Sequence, residues 1–317
     1  MSITKQDLSE PTPSQHRTLN PLHYLAALSE QRYWAYILIV PSLILVFIIV
    51  IYPIFSGVLL SFQEMRLNRP KLNGFIGLEH YGELLQDPVF LKASINTFWW
   101  VVLGIASQFT LGLITALALN RKLRGMQLAR TLVLIPWFLP AVVAGNMWVL
   151  MLDSRLGVLN DIMMKLGIIQ SYKAWFADPD TAFAAALLVA LWQGFPFFAL
   201  LLLAGLQGIP EDLYEAAAVD GANRWRQFLH ITMPLLRPII VAVVVLRVIG
   251  MVNSPDLIVI LTDGGPGHAT ELLSSYAFQT AYQSFDFGYA GALSVVMLII
   301  LMVFSIIYIR VSGIAKE

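Results

Sequence analysis

The chain has 317 residues, of which 58% are hydrophobic and only 13% are charged. A soluble domain carries about 25% charged residues, so this composition indicates an integral membrane protein. Lys and Arg together number 20, as do Asp and Glu, which leaves no net charge that would attract nucleic acid. The absence of cysteine excludes disulfides and thiolate metal sites.

Apolar runs of about 20 residues are long enough to cross a bilayer as helices. The sequence predicts six such spans, at 34–62, 96–119, 131–152, 183–204, 238–262 and 289–310. The expected fold class is therefore an all-α integral membrane protein: a polar tail at 1–33, a six-span domain at 34–310 and a short tail at 311–317. The first run is too long and begins too late for a cleaved signal peptide.

Several residues at the predicted span ends have a local interpretation. Trp34, Trp99 and Trp100 are interpreted as interfacial anchors, because tryptophan favours the boundary between lipid and water. Pro136 and Pro140 are expected to bend the third span.

The positions of the basic residues predict which loops face the cytoplasm. The loop 120–130 contains four basic residues and no acid, whereas the loop 263–288 contains three acids and no Lys or Arg. With an even number of spans, both termini are then expected in the cytoplasm. The polar segment 210–238, between the fourth and fifth spans, falls on the same side.

The polar segment 210–238 has the pattern of two short helices. Pro210 suits a first helical position, Gly221 suits a left-handed turn, and Asn223 is a good cap for a second helix, which Met233-Pro234 is expected to end. This pattern fits a compact pair of helices that meets a soluble partner, or an amphipathic connector on the membrane surface. A DNA-binding helix-turn-helix is disfavoured, because Arg224 and Arg226 alone contact few phosphates.

These residues, together with motifs elsewhere in the chain, resemble the permease subunits of binding-protein-dependent ABC importers, closest to the maltose-type sugar group. The matching stretches are EAAAVDGA (215–222), NTFWW (96–100), LIPWFLP (134–140), KAWFADPDTA (173–182), LWQGFPF (191–197), TDGGPGHAT (262–270) and FGYAGALS (287–294). They cover about residues 34–310. The segment 210–238 corresponds to the EAA loop of this family.

The resemblance implies a coupling role for the EAA loop. In the family, its first helix docks into a cytoplasmic ATPase, and this role is carried over to Glu215, Ala216, Ala217, Asp220, Gly221 and Ala222. The chain has no G-x-x-x-x-G-K-[ST] motif of its own. ATP and Mg are therefore expected on a partner subunit, and no cofactor is expected in this chain. The chain itself is expected to be a transport subunit and not an enzyme.

The implied assembly is a bacterial inner-membrane importer. Its expected partners are a second homologous permease, two copies of the ATPase, an external solute-binding protein, the sugar and membrane lipid. A self-contained secondary transporter or a membrane enzyme is the alternative, and the absence of relay carboxylates within the spans argues against both. The five scattered histidines have no ligand spacing, so no metal site is expected.

Polar groups within the spans predict the substrate path, because such groups usually face a cavity or a partner. The candidates, which match sugar-contacting positions of maltose-type relatives, are Gln193, Gly194 and Phe197 in the fourth span and Arg247, Gly250, Met251 and Ser254 in the fifth. Arg247 is expected either to bind an anionic group of an acidic sugar or to form a structural pair on another span or subunit. Asp256 is expected to pair locally. The sequence does not name the sugar.

Overall fold

The protein is described by a computed structural model that covers residues 33–70, 73–121 and 123–313. The predicted tail at 1–33 lies outside these residues except for Tyr33, and so do Lys122, residues 314–317 and the side chain of Trp34. The chain divides into two compact units, Met1–Ser56 and Gly57–Glu317.

The first predicted span is a helix. α1 (Tyr33–Val46) contains Pro41 and continues through a π-helical turn (Phe47–Ile51) into α2 (Tyr52–Leu60). The stretch Leu38–Leu60 is long and apolar enough to cross a membrane. Its described side chains up to Phe55 are exposed, as expected of a helix that faces lipid or another subunit.

The second unit contains the remaining spans. Four helices in it are long and apolar enough to cross a membrane: α4 (Pro88–Leu119), α8 (Pro179–Gln207), the continuous helix Arg224–Asn253 and α14 (Phe287–Ser312). The bent pair α5 (Met126–Phe138) and α6 (Ala141–Met151) gives a sixth candidate if it counts as one span. The shorter elements are β1 (Gln63–Glu64), β2 (Gly74–Phe75), α3 (Glu79–Gln86), α7 (Val158–Lys165), α9 (Glu211–Val219), α10 (Arg224–Gln227), α11 (Met233–Asn253), α12 (Asp256–Leu261) and α13 (Leu273–Tyr282).

The prediction of membrane helices is confirmed, but α4 and α8 begin several residues earlier than hydropathy places them. Each starts at a proline that follows a capping aspartate: the Asp87 carboxylate accepts from the Val89 amide at 2.8 Å, and the Asp178 carboxylate accepts from the Asp180 amide at 3.0 Å. Proline at the first helical position after such a cap is a strong start signal. The helices therefore begin at the cap, before the apolar run.

The third predicted span is not one bent helix, because α5 and α6 meet at 92°. The break follows Leu139, which has extended backbone angles, and Pro140 precedes the first residue of α6. A proline has no amide hydrogen and disfavours helical angles in the residue before it, so a helix ends there. Pro136 lies inside α5 without ending it.

The fifth span was predicted to begin at residue 238, after a helix that ends at Met233-Pro234, and both statements are wrong. α10 passes through a π-helical turn (Phe228–Thr232) directly into α11, so one helix runs from Arg224 to Asn253. We attribute the continuity to this turn, because its wider winding leaves room for the ring of Pro234. The far end also differs: the helix stops before Ser254-Pro255, and α12 follows.

The core of the second unit is centred on α4 and α8. Gly112 of α4 faces Phe198 of α8 so closely that a side chain at Gly112 would collide with it. Phe198, Leu202 and Leu236 are fully buried here and join α4, α8 and α11. Small residues allow membrane helices to approach closely, which fixes these three helices relative to one another.

The segment 263–288, predicted as an external loop, contains the ordered helix α13. Asn96 of α4 donates from its amide to the carbonyl oxygens of Ala269 at 3.2 Å and Glu271 at 3.0 Å. The Glu271 side chain is buried and accepts from the Ser275 hydroxyl at 2.6 Å. Burial raises the pKa of Glu271. The end of the TDGGPGHAT stretch and Glu271, which follows it, are therefore packed structure and not a free loop.

Candidate functional site

A cavity of about 240 Å³ opens where the α5–α6 break faces the middle of α8 and the last turns of α11. Five of the seven residues predicted to contact substrate line it, namely Gln193, Arg247, Gly250, Met251 and Ser254. The rest of the lining consists of Trp100, Trp137, Ala141, Ala190 and Leu257. The predicted stripe on the fifth span therefore faces one cavity.

Arg247 is held by a glutamine on another helix. Its Nε donates to Oε1 of Gln108 at 2.7 Å, and Nε2 of Gln108 donates to the carbonyl oxygen of Ala190 at 3.0 Å. Gln108 is fully buried, so its amide has a fixed orientation. The three residues come from α4, α8 and α11. The Arg247 guanidinium is thus positioned by a hydrogen-bonded chain across three spans.

Gly194 and Phe197 are absent from the lining but support it. A Cβ atom at Gly194 would collide with the Arg247 guanidinium and the Gln108 amide, so only hydrogen fits at this position. The ring of Phe197 packs against Trp137, with centroids 5.8 Å apart. Both residues therefore position side chains that line the cavity, and their direct contact with substrate stays a prediction.

The positive charge of Arg247 is not neutralised within the described part of the chain. No carboxylate there forms an ion pair with it, and its one hydrogen-bond acceptor is the neutral amide of Gln108. Asp256 instead accepts from the Ser254 hydroxyl at 2.9 Å, which confirms the prediction that it pairs locally. An arginine in the middle of a span costs about 2.5–3.5 kcal/mol on insertion scales, and an anion in the cavity would offset this cost.

Gln193 fixes the wall of the cavity formed by the broken span. Its Nε2 donates to the carbonyl oxygen of Leu139 at 3.2 Å. The break at Leu139 removes this carbonyl from the helical hydrogen-bond pattern, and such a group in the membrane needs a partner. Gln193 supplies the partner and so holds the 92° corner against α8.

Two residues of the site, Gln108 behind Arg247 and Trp100 in the cavity lining, carried a signal in the sequence that the prediction overlooked or misread. Gln108 is an isolated amide in a long apolar span, which is the kind of signal that singled out Gln193. Trp100 was interpreted as an interfacial anchor, but α4 begins at Pro88, and Trp100 is only 4% exposed and lines the cavity. Trp99 next to it is 48% exposed, as expected of a ring that faces lipid.

The EAA loop forms a rigid pair of short helices. Gly221 adopts the left-handed conformation at a φ of 79°, and the Asn223 side chain accepts from the Arg226 amide at 2.9 Å, so the predicted turn and cap are confirmed. Pro210 precedes α9 as its cap instead of occupying the first helical position. Nε2 of Gln227 donates to the carbonyl oxygens of Tyr214 and Ala222 at 3.3 and 3.2 Å. These bonds connect α9 to the start of the helix Arg224–Asn253.

Most of the predicted coupling residues in the EAA loop are exposed on the surface. Of the predicted coupling residues, Glu215, Ala216, Asp220 and Gly221 are exposed, whereas Ala217 and Ala222 are half-buried and line a shallow cavity of about 370 Å³. Val219 is 89% exposed and Trp225 is 66% exposed. Large apolar side chains at a polar surface indicate a contact with another protein.

Comparisons with known proteins show which family and which relatives the chain is similar to. The family described as binding-protein-dependent transport system inner membrane component matches residues 108–315. The trehalose/maltose transport system permease protein MalF of Thermococcus litoralis is 36% identical over 282 residues, or 89% of this chain and 94% of that protein. The sulfoquinovosyl glycerol transport system permease protein SmoG of Agrobacterium fabrum is 37% identical over 280 residues, or 88% and 90%.

A solved structure has the same fold. It is a chain of a bacterial ABC transporter involved in the import of the acidic polysaccharide alginate, and it aligns with a TM-score of 0.78. The alignment covers 93% of this chain and 100% of that chain at 22% sequence identity. At this identity the likeness shows the fold alone.

Proposed function

The chain belongs to the family of binding-protein-dependent transport system inner membrane components, and from this premise we propose that it lines the pathway of an ATP-driven importer for a sugar with an anionic group. The cavity beside Arg247 is the proposed substrate site. The EAA loop is the proposed contact with the ATPase. In both proposals the chain is one subunit of a larger assembly in the inner membrane.

The observation that carries the anionic substrate is the uncompensated guanidinium at the cavity. Gln108 accepts a hydrogen bond from Nε of Arg247, but it is neutral, so the positive charge of Arg247 is not compensated. A guanidinium binds carboxylate, sulfonate or phosphate through two parallel hydrogen bonds, which a neutral hydroxyl cannot match in strength. Trp100 and Trp137 in the lining provide aromatic faces for a sugar ring, and Gln193 and Ser254 provide polar groups.

The two relatives do not decide between a neutral and an anionic sugar. One is named for trehalose and maltose, which are neutral, and the other for sulfoquinovosyl glycerol, whose name denotes a sulfonate. Their identities to this chain are nearly equal. The proposal therefore depends on the cavity of this chain and on the unpaired charge in it.

The proposed coupling role follows from the rigid helix pair and its exposed apolar groups. A stiff segment continuous with the helix Arg224–Asn253 transmits a push from a bound subunit directly to Arg247 on the same helix. The implied partners are two copies of an ATPase, a second homologous permease and an external solute-binding protein. Because the sequence lacks a P-loop, ATP binding and hydrolysis belong to the ATPase.

Copurification and uptake together test the proposed function. We expect the tagged chain, extracted in mild detergent, to bring with it a nucleotide-binding subunit and a second permease, identified by mass spectrometry. Uptake in cells should stop when ATP is depleted while the membrane potential is held. Recovery of the chain alone, with uptake that continues without ATP, would instead identify a self-contained secondary transporter.

A further inference from the structure

A second polar cavity, of about 730 Å³, lies at the opposite end of the spans from the TDGGPGHAT segment. It is bounded by the end of α4, the start of α5, the end of α8 and the helices of the EAA loop. Among the described residues, three arginines line it, Arg121, Arg130 and Arg224, against one acid, Glu211. The lining therefore has an excess of positive charge, and neither the substrate site nor the proposed ATPase contact uses it.

Arg130 has a donor that is left over. Its Nη2 donates to the carbonyl oxygen of Leu119 at 2.9 Å and so caps the C-terminal end of α4. Its Nε is buried and has no hydrogen-bond partner among the described residues. A buried guanidinium donor without an acceptor is unfavourable, so Arg130 is incompletely satisfied by the described residues.

Arg224 lies at the positive end of a helix. It is the first residue of the helix Arg224–Asn253, where the helix dipole is positive and disfavours a cation. The same helix end attracts an anion. An anion in this cavity would therefore meet Arg224, the start of its helix and the Arg130 guanidinium together.

From these contacts we infer that the arginine cavity binds a phosphate group, an anion that guanidinium groups recognise through paired hydrogen bonds. The group comes either from the headgroup of an anionic phospholipid or from a soluble phosphate compound. α4 and α8 end at the level of the cavity, so it lies at the depth of lipid headgroups. A bound phosphate bridges the α4–α5 loop to the EAA loop and stiffens the coupling segment.

The test compares two probes on the complex purified with its native partners: phosphatidylglycerol retained in native mass spectrometry, and stabilisation against heat by inorganic phosphate. Arg224→Gln and Arg130→Gln should each weaken binding about tenfold, the loss expected for one charge-assisted hydrogen bond. Arg124→Gln is the matched control, because Arg124 is an exposed arginine of the same loop that does not line the cavity. Arg224→Gln keeps the test valid if Arg130→Gln, which also loses the cap on α4, fails to fold.

Retention of phosphatidylglycerol that depends on Arg224 identifies the lipid as the source. A response to inorganic phosphate alone, with the same dependence, identifies a soluble compound. Equal binding by Arg224→Gln and Arg124→Gln, or no binding of either probe, overturns the inference. So does binding that disappears when the partner subunits are present, because a partner then occupies the cavity.

The inference rests on the proposed function, from which it takes the cytoplasmic orientation of the cavity. This orientation has its own test. The chain contains no cysteine, so Arg124→Cys provides one labelling site without background. Labelling only from the outside would refute the orientation of the proposed importer, whatever the phosphate result. Labelling from the cytoplasm without phosphate binding would refute this inference alone.

Discussion

Nε of Arg247 and Oε1 of Gln108 lie 2.7 Å apart and join the fifth span to the second. Oε1 of Gln108 is thereby used, and its Nε2 is used by the carbonyl oxygen of Ala190. The amide cannot turn without loss of both bonds. The guanidinium is therefore held in place while its charge stays available at the cavity.

Replacement of Arg247 by Gln should reduce uptake of a sulfonated or carboxylated sugar about tenfold or more. The reason is the loss of a charge-assisted contact, which contributes about 1.5–3 kcal/mol. Uptake of labelled sugar at equal protein level measures the effect, and Arg237→Gln, an exposed site on the same helix, is the control. Equal losses of uptake and protein in Arg247→Gln would assign Arg247 a purely structural role.

Replacement of Gly194 by Ala should disturb the Arg247–Gln108 pair, since the added methyl group collides with both side chains. Overpacking of this kind costs about 1–3 kcal/mol. Uptake and thermal unfolding should both decline. Gly57→Ala is the control, because a Cβ at that helical position meets nothing within 4 Å. Unchanged behaviour of Gly194→Ala would show that the pair has room to move.

Trp100, which lines the cavity, and its exposed neighbour Trp99 allow a matched test of whether an aromatic side chain contacts the sugar. Trp100→Leu should weaken sugar uptake about two- to tenfold, in line with about 0.5–1.5 kcal/mol for an aromatic contact. Trp99→Leu removes an exposed ring one residue away and should leave uptake near the wild-type value. Uptake measured as a function of sugar concentration compares the two variants. A similar loss in both would count against Trp100 as part of the substrate site.

Gly221→Trp should abolish recovery of the ATPase subunit with the chain. A bulky residue at a φ of 79° strains the backbone by about 1–2 kcal/mol and changes the corner of the EAA loop. Gly125→Trp carries the same strain, at a φ of 83°, in the α4–α5 loop and is the control. Pull-down of the tagged chain is the measurement. Loss of the ATPase from both variants would indicate a general folding defect and no specific docking contact.

Asp87 should make the stability of the protein depend on pH in the acid range. Burial acts to raise its pKa, but hydrogen bonds from the hydroxyls of Tyr276 at 2.6 Å and Tyr289 at 2.8 Å, with backbone amides, outweigh burial and lower it. A lowered pKa means that the carboxylate stabilises the folded state above the ordinary carboxyl value and that this contribution is lost as pH falls through the lowered pKa. Thermal unfolding against pH should show this loss.

Two variants check the assignment to Asp87. Asp87→Asn should be less stable than the wild type at neutral pH, and the difference should shrink as the pH becomes acidic. Tyr276→Phe removes one of the two hydroxyl donors and should reduce the same pH-dependent contribution in part. Parallel curves for wild type and Asp87→Asn would assign the pH dependence to other groups.

The class of the protein, the approximate spans, the turn and cap in the segment 210–238 and five of the ten residues that line the cavity could be predicted from the sequence. Long apolar runs must form helices in lipid, because no water is present to satisfy the backbone, so composition alone indicates a helical membrane protein. The 3.6-residue period then placed Arg247, Met251 and Ser254 on one side of a helix. Local backbone rules gave the turn at Gly221 and the cap at Asn223.

Which groups meet depends on how the helices pack against one another. Gln108 is 139 residues from Arg247 in the chain, and no local pattern states that their side chains form a hydrogen bond. The same holds for the collision that keeps Gly194 a glycine and for the bond between Gln193 and Leu139. The period of a helix fixes which residues share its face, but the packing of one helix on another fixes what that face contacts. The chemistry of the cavity beside Arg247 depends on that packing.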